Sequence, residues 1–241
     1  MKRHSTTKAS IQTCYYCGVP ATTIEHVPPR CLFPERKDAF GTDWRRNLIT
    51  VPSCDEHNLR KSKEDEFLMA CITPVVGTNG AGYIQTQTKV RRAVSRRSGR
   101  LLDTVMKDRK PARLVSPNGA QFPILVGKAD MPRLCCALEH VARGLYFHVL
   151  GNRFDGKCHI LPGFIHFPDN PELEMVKQVA RLLMMQERAS WDLHGENQQV
   201  FHCRFGRTDQ YGLIPMIMTF FRGIDVYVAF QPEGGANGVR S

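Results

Sequence analysis

No stretch of this sequence approaches the roughly 18 uninterrupted apolar residues that a membrane helix requires, so a membrane-spanning role is not expected. The opening, MKRHSTTKAS, is basic but has no apolar segment behind it. It therefore does not read as a secretory signal, and a cytoplasmic location is expected. Internal repeats and low-complexity segments are missing too. So is a disulfide framework: the nine cysteines are odd in number and irregularly spaced, which favours metal ligands and buried thiols. Six of them (Cys31, Cys71, Cys135, Cys136, Cys158 and Cys203) sit in apolar surroundings and read as small buried hydrophobes.

What is present is a globular composition. The 241 residues are 42% apolar, enough for one or two domains with a full core. Acidic residues are the minority: 33 Lys and Arg stand against 23 Asp and Glu, for a formal charge of +10. Ten of those basic residues fall between Lys89 and Arg113, with only Asp103 and Asp108 among them. A block of this kind suggests a polyanionic partner.

Residues 1–10 read as a flexible tail. Residues 11–76 are rich in Cys, His, Pro and charge and poor in long apolar runs, the composition of a small module that needs a metal staple. Within it, residues 55–72 are expected to be helical, with Phe67, Leu68 and Cys71 as the apolar stripe. Residues 77–116 read as a basic helical segment, broken near Gly99. There Val90, Val94, Leu101 and Val105 share one face, and Arg92, Arg96 and Arg100 lie about 200° away at about 100° per residue. With no acidic residues close by in sequence, that row is expected to meet phosphates. Residues 117–241 form an α+β half. Helices are expected over 131–150 and 171–188, and strands over 121–127, 199–205, 213–221 and 224–230, the last two as a hairpin. The fold class is α+β: a metal-stapled module, a basic helical segment, and a C-terminal half with an antiparallel sheet.

Two short motifs carry the chemistry. Cys14 and Cys17 have the CxxC spacing at which two thiolates share one tetrahedral zinc, and Cys54 with His57 repeats it. Together they make a Cys3His structural site, closed to chemistry because all four positions are protein ligands. Reading His57 instead as a catalytic ligand would leave Cys54 without a partner at this spacing. His140, His148, His166, His194 and His202 have no such spacing and read as ordinary histidines.

Between the pairs lies TTIEHVPP (22–29), then EHVPPRCLFP continuing to 34, NLITVPSC (47–54) and KSKEDEF (61–67). With its CxxC, acidic-His pair, Asn-Leu and second metal pair opening a helix, the stretch from Cys14 to about Glu66 resembles the HNH endonucleases. It is closest to the branch that includes phage recombination endonucleases, whose last motif letter is Asn. It is also similar to a group of uncharacterised bacterial HNH proteins of about this length. The resemblance implies a ββα-metal module hydrolysing phosphodiesters, with His26 as general base. Glu25 and Asn58 would hold Mg2+ or Mn2+, and Asn47 would brace the hairpin carrying the base. Adjacent residues on a strand face opposite ways, so a local irregularity is expected to let Glu25 and His26 serve one site.

Arg30, Lys61 and Lys63 are nearby candidates for holding the strand. DNA is the expected substrate, with RNA the other. A protein partner or second copy is expected through the C-terminal half, and phage defence is a family association. The competing reading is a zinc-dependent nucleic-acid-binding or interaction module without catalysis.

Overall fold

A hairpin and a helix follow the first cysteine pair. In the computed structural model, which describes residues 12–58, 61–96 and 99–233, β1 (Thr23–His26) pairs antiparallel with β2 (Thr50–Ser53). The expected tail at 1–10 lies outside the described residues. The helix expected over 55–72 occurs as a short α1 (Asp55–Asn58) and α2 (Ser62–Ile72), and α2 buries Phe67, Leu68 and Cys71 as its pattern requires.

The basic segment is helical only as far as Val105. Its elements are α3 (Gly80–Gln85), a π-helical turn over Thr86–Val90, α4 (Arg91–Arg96) and α5 (Arg100–Val105). Gly99, at φ 81°, adopts the left-handed conformation that breaks the run, and Val90, Leu101 and Val105 are buried. The chain then turns into β3 (Met106–Val115), which pairs with β4 (Gln121–Ala129) as a largely exposed hairpin. The helix read over 83–109 therefore ends early, with 106–109 forming strand instead, and the hairpin crosses the expected boundary at 116/117. MKDRKPARLV carries charges on both of its faces, so no alternation marked it as a strand.

The C-terminal half is mixed α and β with an antiparallel sheet. Helix α6 (Met131–Leu150) starts where the Asp130 side chain accepts from the Arg133 N–H and stops at left-handed Gly151. Helix α7 (Pro171–Glu187) is capped by Asn170. The remaining strands are β5 (Gly156–Pro162), β6 (Asp192–His194), β7 (Phe201–Phe205), β8 (Ile214–Phe220) and β9 (Ile224–Pro232). They form one antiparallel sheet in the order β5-β9-β8-β7-β6. One face buries Phe205 and Phe230 against α6, where Tyr146 meets Phe230 at 5.0 Å between ring centres. The other packs Ile217 and Tyr227 on Trp191 and on Met184 of α7. The outer face of α7 leaves Met175, Val176, Val179, Leu182 and Leu183 exposed. No helix among the described residues is long and apolar enough to cross a membrane.

One continuous apolar core joins the N-terminal hairpin to α6 and the sheet. At its closest point α6 lies directly on β1's exit, because Gly144 has no side chain. A Cβ there would sit 2.8 Å and 2.9 Å from the two γ-methyls of Val27. Gly144→Ala should gain about 1 kcal/mol in helix propensity but lose about 1–3 kcal/mol to overpacking against a stiff β-branched neighbour. We expect a net loss in urea unfolding, and a smaller added loss when Val27→Ala accompanies it. A Gly144→Ala protein more stable than the parent would show that the helix is free to move outward.

Candidate metal centre and the histidine beside it

The first ligand pair is held on a tight turn. The Cys14 carbonyl accepts from Gly18 N–H at 2.9 Å, and Cys14 N–H donates to Val19 at 2.7 Å. Gly18 takes φ 78°, which lets the chain reverse there. Tyr15 N–H donates to the Pro52 carbonyl at 2.9 Å and ties this turn to β2. The second pair opens α1, where the Cys54 carbonyl accepts from the His57 and Asn58 N–H groups at 3.1 and 3.0 Å.

As a result Cys14, Cys17, Cys54 and His57 bring their ligand atoms within 4.8 Å of one another, a group that could hold a metal ion such as zinc. The Cys17 and Cys54 sulfurs are 3.8 Å apart, and His57 Nδ1 is 3.2 Å from Cys54 Sγ and 3.9 Å from Cys14 Sγ. Bond lengths of about 2.3 Å to sulfur and about 2.0 Å to nitrogen in a tetrahedron give ligand separations of about 3.5–3.8 Å. The donor set therefore fits. Burial alone would raise the Cys14 thiol, but backbone N–H groups of Cys17, Tyr16 and Cys54 face it and bring it below its ordinary value.

The sequence did not mark the ring stack behind this group. Tyr16 lies on His57 at 4.5 Å and on His140 of α6 at 4.3 Å. Burial pushes His140 down to about 3, so it packs as a neutral ring. His140 is thus part of the ligand group's support, which a search for ligand spacings cannot detect. Among the cysteines read as buried, Cys136 is instead exposed on α6.

On the hairpin, Glu25 opposes Val51 and His26 opposes Thr50 in unbroken register. The irregularity expected at this point is missing, and the two side chains take opposite faces. Glu25 is buried, held by an ion pair with Lys61 and facing the Ser53 hydroxyl at 3.4 Å. Lys61, expected to touch a substrate strand, is only 7% exposed. Asn58 donates its amide N–H to Thr23 Oγ1 at 2.9 Å and to the Ile24 carbonyl at 3.1 Å. Glu25 and Asn58 are therefore not assembled into an open site for Mg2+ or Mn2+: the carboxylate already has a cation against it. Lys63 is exposed.

His26 is half-buried, and its ring makes no hydrogen bond to another described residue. Burial lowers its pKa below the ordinary 6.5, Arg30 lowers it further, and Glu25 partly offsets both. The ring is thus neutral at pH 7. Arg30 also lines an open cavity of about 380 Å³ with Glu35, Arg36, Lys37, Asp43 and Arg45, four cations against two acids. This groove was not read from the sequence, where its cations are interleaved with acids and form no block. Asn47, at φ 49°, donates to Glu196 at 2.6 Å, and Asn197 donates to the Arg46 carbonyl at 2.7 Å. Asn47 thus ties its turn to the loop before β7.

Acids face two members of the arginine row. Arg92 makes a two-point ion pair with Asp38, at 2.6 and 3.2 Å, and Arg96 lies 3.6 Å from Glu66. Arg100 is exposed. The acids that meet Arg92 and Arg96 come from the N-terminal module, far away in sequence.

Comparison with known proteins adds nothing to this geometry. No family model, curated protein or solved structure matches the chain.

Proposed function

We propose that the protein is an endonuclease that hydrolyses phosphodiester bonds of DNA, with His26 as the general base. One observation carries this reading: a neutral histidine whose ring makes no hydrogen bond to another described residue lies within the field of Arg30, and Arg30 lines a groove of four cations and two acids. A phosphodiester needs positive charge to hold its oxygens and a base to take a proton from water. Arg30 and the groove cations serve the first need, and His26 the second. Arg100 adds to backbone contact, while Arg92 and Arg96 contribute less because Asp38 and Glu66 already face them.

The Cys14, Cys17, Cys54 and His57 group holds structural zinc and keeps the hairpin in place against α1, completing a ββα arrangement of the HNH kind. Mg2+ or Mn2+ at Glu25 and Asn58, as the resemblance implies, has no open site, so no step is assigned to it. The exposed stripe of α7 is the surface we would assign to a protein partner or second copy.

Zinc-loaded protein incubated with supercoiled plasmid, with and without Mg2+ or Mn2+, should convert it to nicked and linear forms. Cleavage of RNA alone would change the substrate. Binding of both nucleic acids without cleavage of either would favour a zinc-dependent binding module, the reading that the closed Glu25 site supports.

A further inference from the structure

Behind the hairpin, on the face away from His26, two carboxylates meet one buried ammonium, and two hydroxyls stand beside the first carboxylate. Glu25 and Lys61 form an ion pair in which both side chains are over nine-tenths buried. Asp65, one helical turn beyond Lys61 on α2, places Oδ1 3.8 Å from the same nitrogen. That Oδ1 is buried and has no hydrogen-bond partner. Tyr15 is fully buried, and its hydroxyl faces Glu25 but falls short of full hydrogen-bond geometry with it. Ser53 completes the group through its hydroxyl, 3.4 Å from Glu25.

Two polar atoms in one buried cluster, Asp65 Oδ1 and the Tyr15 hydroxyl, lack a well-formed hydrogen bond, which calls for an explanation since buried polar groups are nearly always satisfied. An ammonium has three donors on a flexible stem, yet here it satisfies one carboxylate and leaves its neighbours short. Two carboxylates are the hard oxygen donors that a divalent cation collects, at higher coordination than a lysine provides, and the neutral hydroxyls beside them can only supplement that set. Removing Lys61 would leave this donor set without a cation.

We infer that Lys61 is the resident cation of a latent divalent-cation site whose donors are Glu25, Asp65, Tyr15 and Ser53. Its ammonium holds the site shut. The inference concerns a carboxylate that the nuclease reading leaves without a role, and it stands or falls independently of cleavage. It also accounts for the disagreement at Glu25: the chain itself supplies the positive charge that the resemblance would assign to Mg2+ or Mn2+. Asp65, which no motif singled out, is the second carboxylate of the site.

The test is Mn2+ binding to the zinc-loaded full chain, followed by calorimetry and by the Mn2+ paramagnetic resonance signal. Mn2+ does not compete effectively with zinc for thiolates, so the two sites read out separately. Lys61→Met should bind one Mn2+ roughly tenfold or more tightly than the parent. Adding Glu25→Gln to Lys61→Met should abolish that gain. Where Lys61→Met is too unstable to titrate, Mn2+ should raise its unfolding midpoint and leave that of the double variant unchanged. The inference is overturned if Lys61→Met gains neither affinity nor midpoint. It is equally overturned if the parent binds Mn2+ as tightly as Lys61→Met and loses it on Glu25→Gln. Neither outcome depends on whether the protein cuts DNA.

Discussion

Removing zinc from zinc-loaded protein is expected to unfold its N-terminal half and to lower its thermal midpoint sharply. The four ligands come from two turns separated by the whole β1–β2 hairpin, whose two four-residue strands bury a single apolar side chain, Val51, with Val27 just past the end of β1. Such a hairpin is marginal without a staple. Zinc at a structural site of this type contributes apparent binding energies of about 10–16 kcal/mol, which appear directly as folding energy. That equals or exceeds the net stability of a typical domain, about 5–15 kcal/mol.

Loss should not stop at the hairpin. Tyr16 stacks on His140 of α6, Val27 packs on Gly144, and Arg133 of α6 makes a two-point ion pair with Glu64 at 2.7 and 2.9 Å. Circular dichroism melts of chelator-treated and zinc-reconstituted protein, with metal content measured alongside, should differ by tens of degrees. Cys54→Ser should behave like the stripped parent. Metal-free protein that melts with the zinc-loaded form would remove the staple from the account.

The second large effect is on chemistry. His26→Ala should slow plasmid cleavage about 10²–10⁴-fold, the usual contribution of a positioned general base. Because the ring makes no hydrogen bond to another described residue, the variant should fold and melt like the parent. The pH dependence follows from the same surroundings. A base acts in its neutral form, so the rate rises as pH climbs through its pKa and then levels. Burial and the Arg30 cation lower that pKa, which places the acidic limb below the ordinary histidine value of 6.5. Arg30→Ala removes the cation and should move the limb upwards, besides weakening binding. Unchanged cleavage by His26→Ala would refute the assignment.

Local signals were legible wherever one stretch of chain contained the whole message. Helix α6 matches its expected 131–150 span because Asp130, Pro132 and Gly151 mark its ends. Strands β7, β8 and β9 follow from alternating or β-branched runs. The spacing of Cys14, Cys17, Cys54 and His57 pointed to one metal group, and those ligand atoms do converge. Strand β5, GKCHILP, was not read, since its burial comes from α6 and β9 rather than from its own pattern. The strand character of β3 was hidden by charges on both faces.

Sequence alone determined that this is a basic α+β protein with a Cys3His ligand set and a histidine preceded by a carboxylate. Those features depend on residue type and short spacing, which folding does not alter. Only the tertiary structure decided what each charge meets. It turned Glu25 inward to Lys61, set Asp38 against Arg92, and left His26 in the field of Arg30, which lines the groove. The reason is physical. A charge near the core must find a counter-charge, because the cost of leaving it unpaired there is several kcal/mol. The partner that satisfies it is chosen by packing in space, not by distance along the chain.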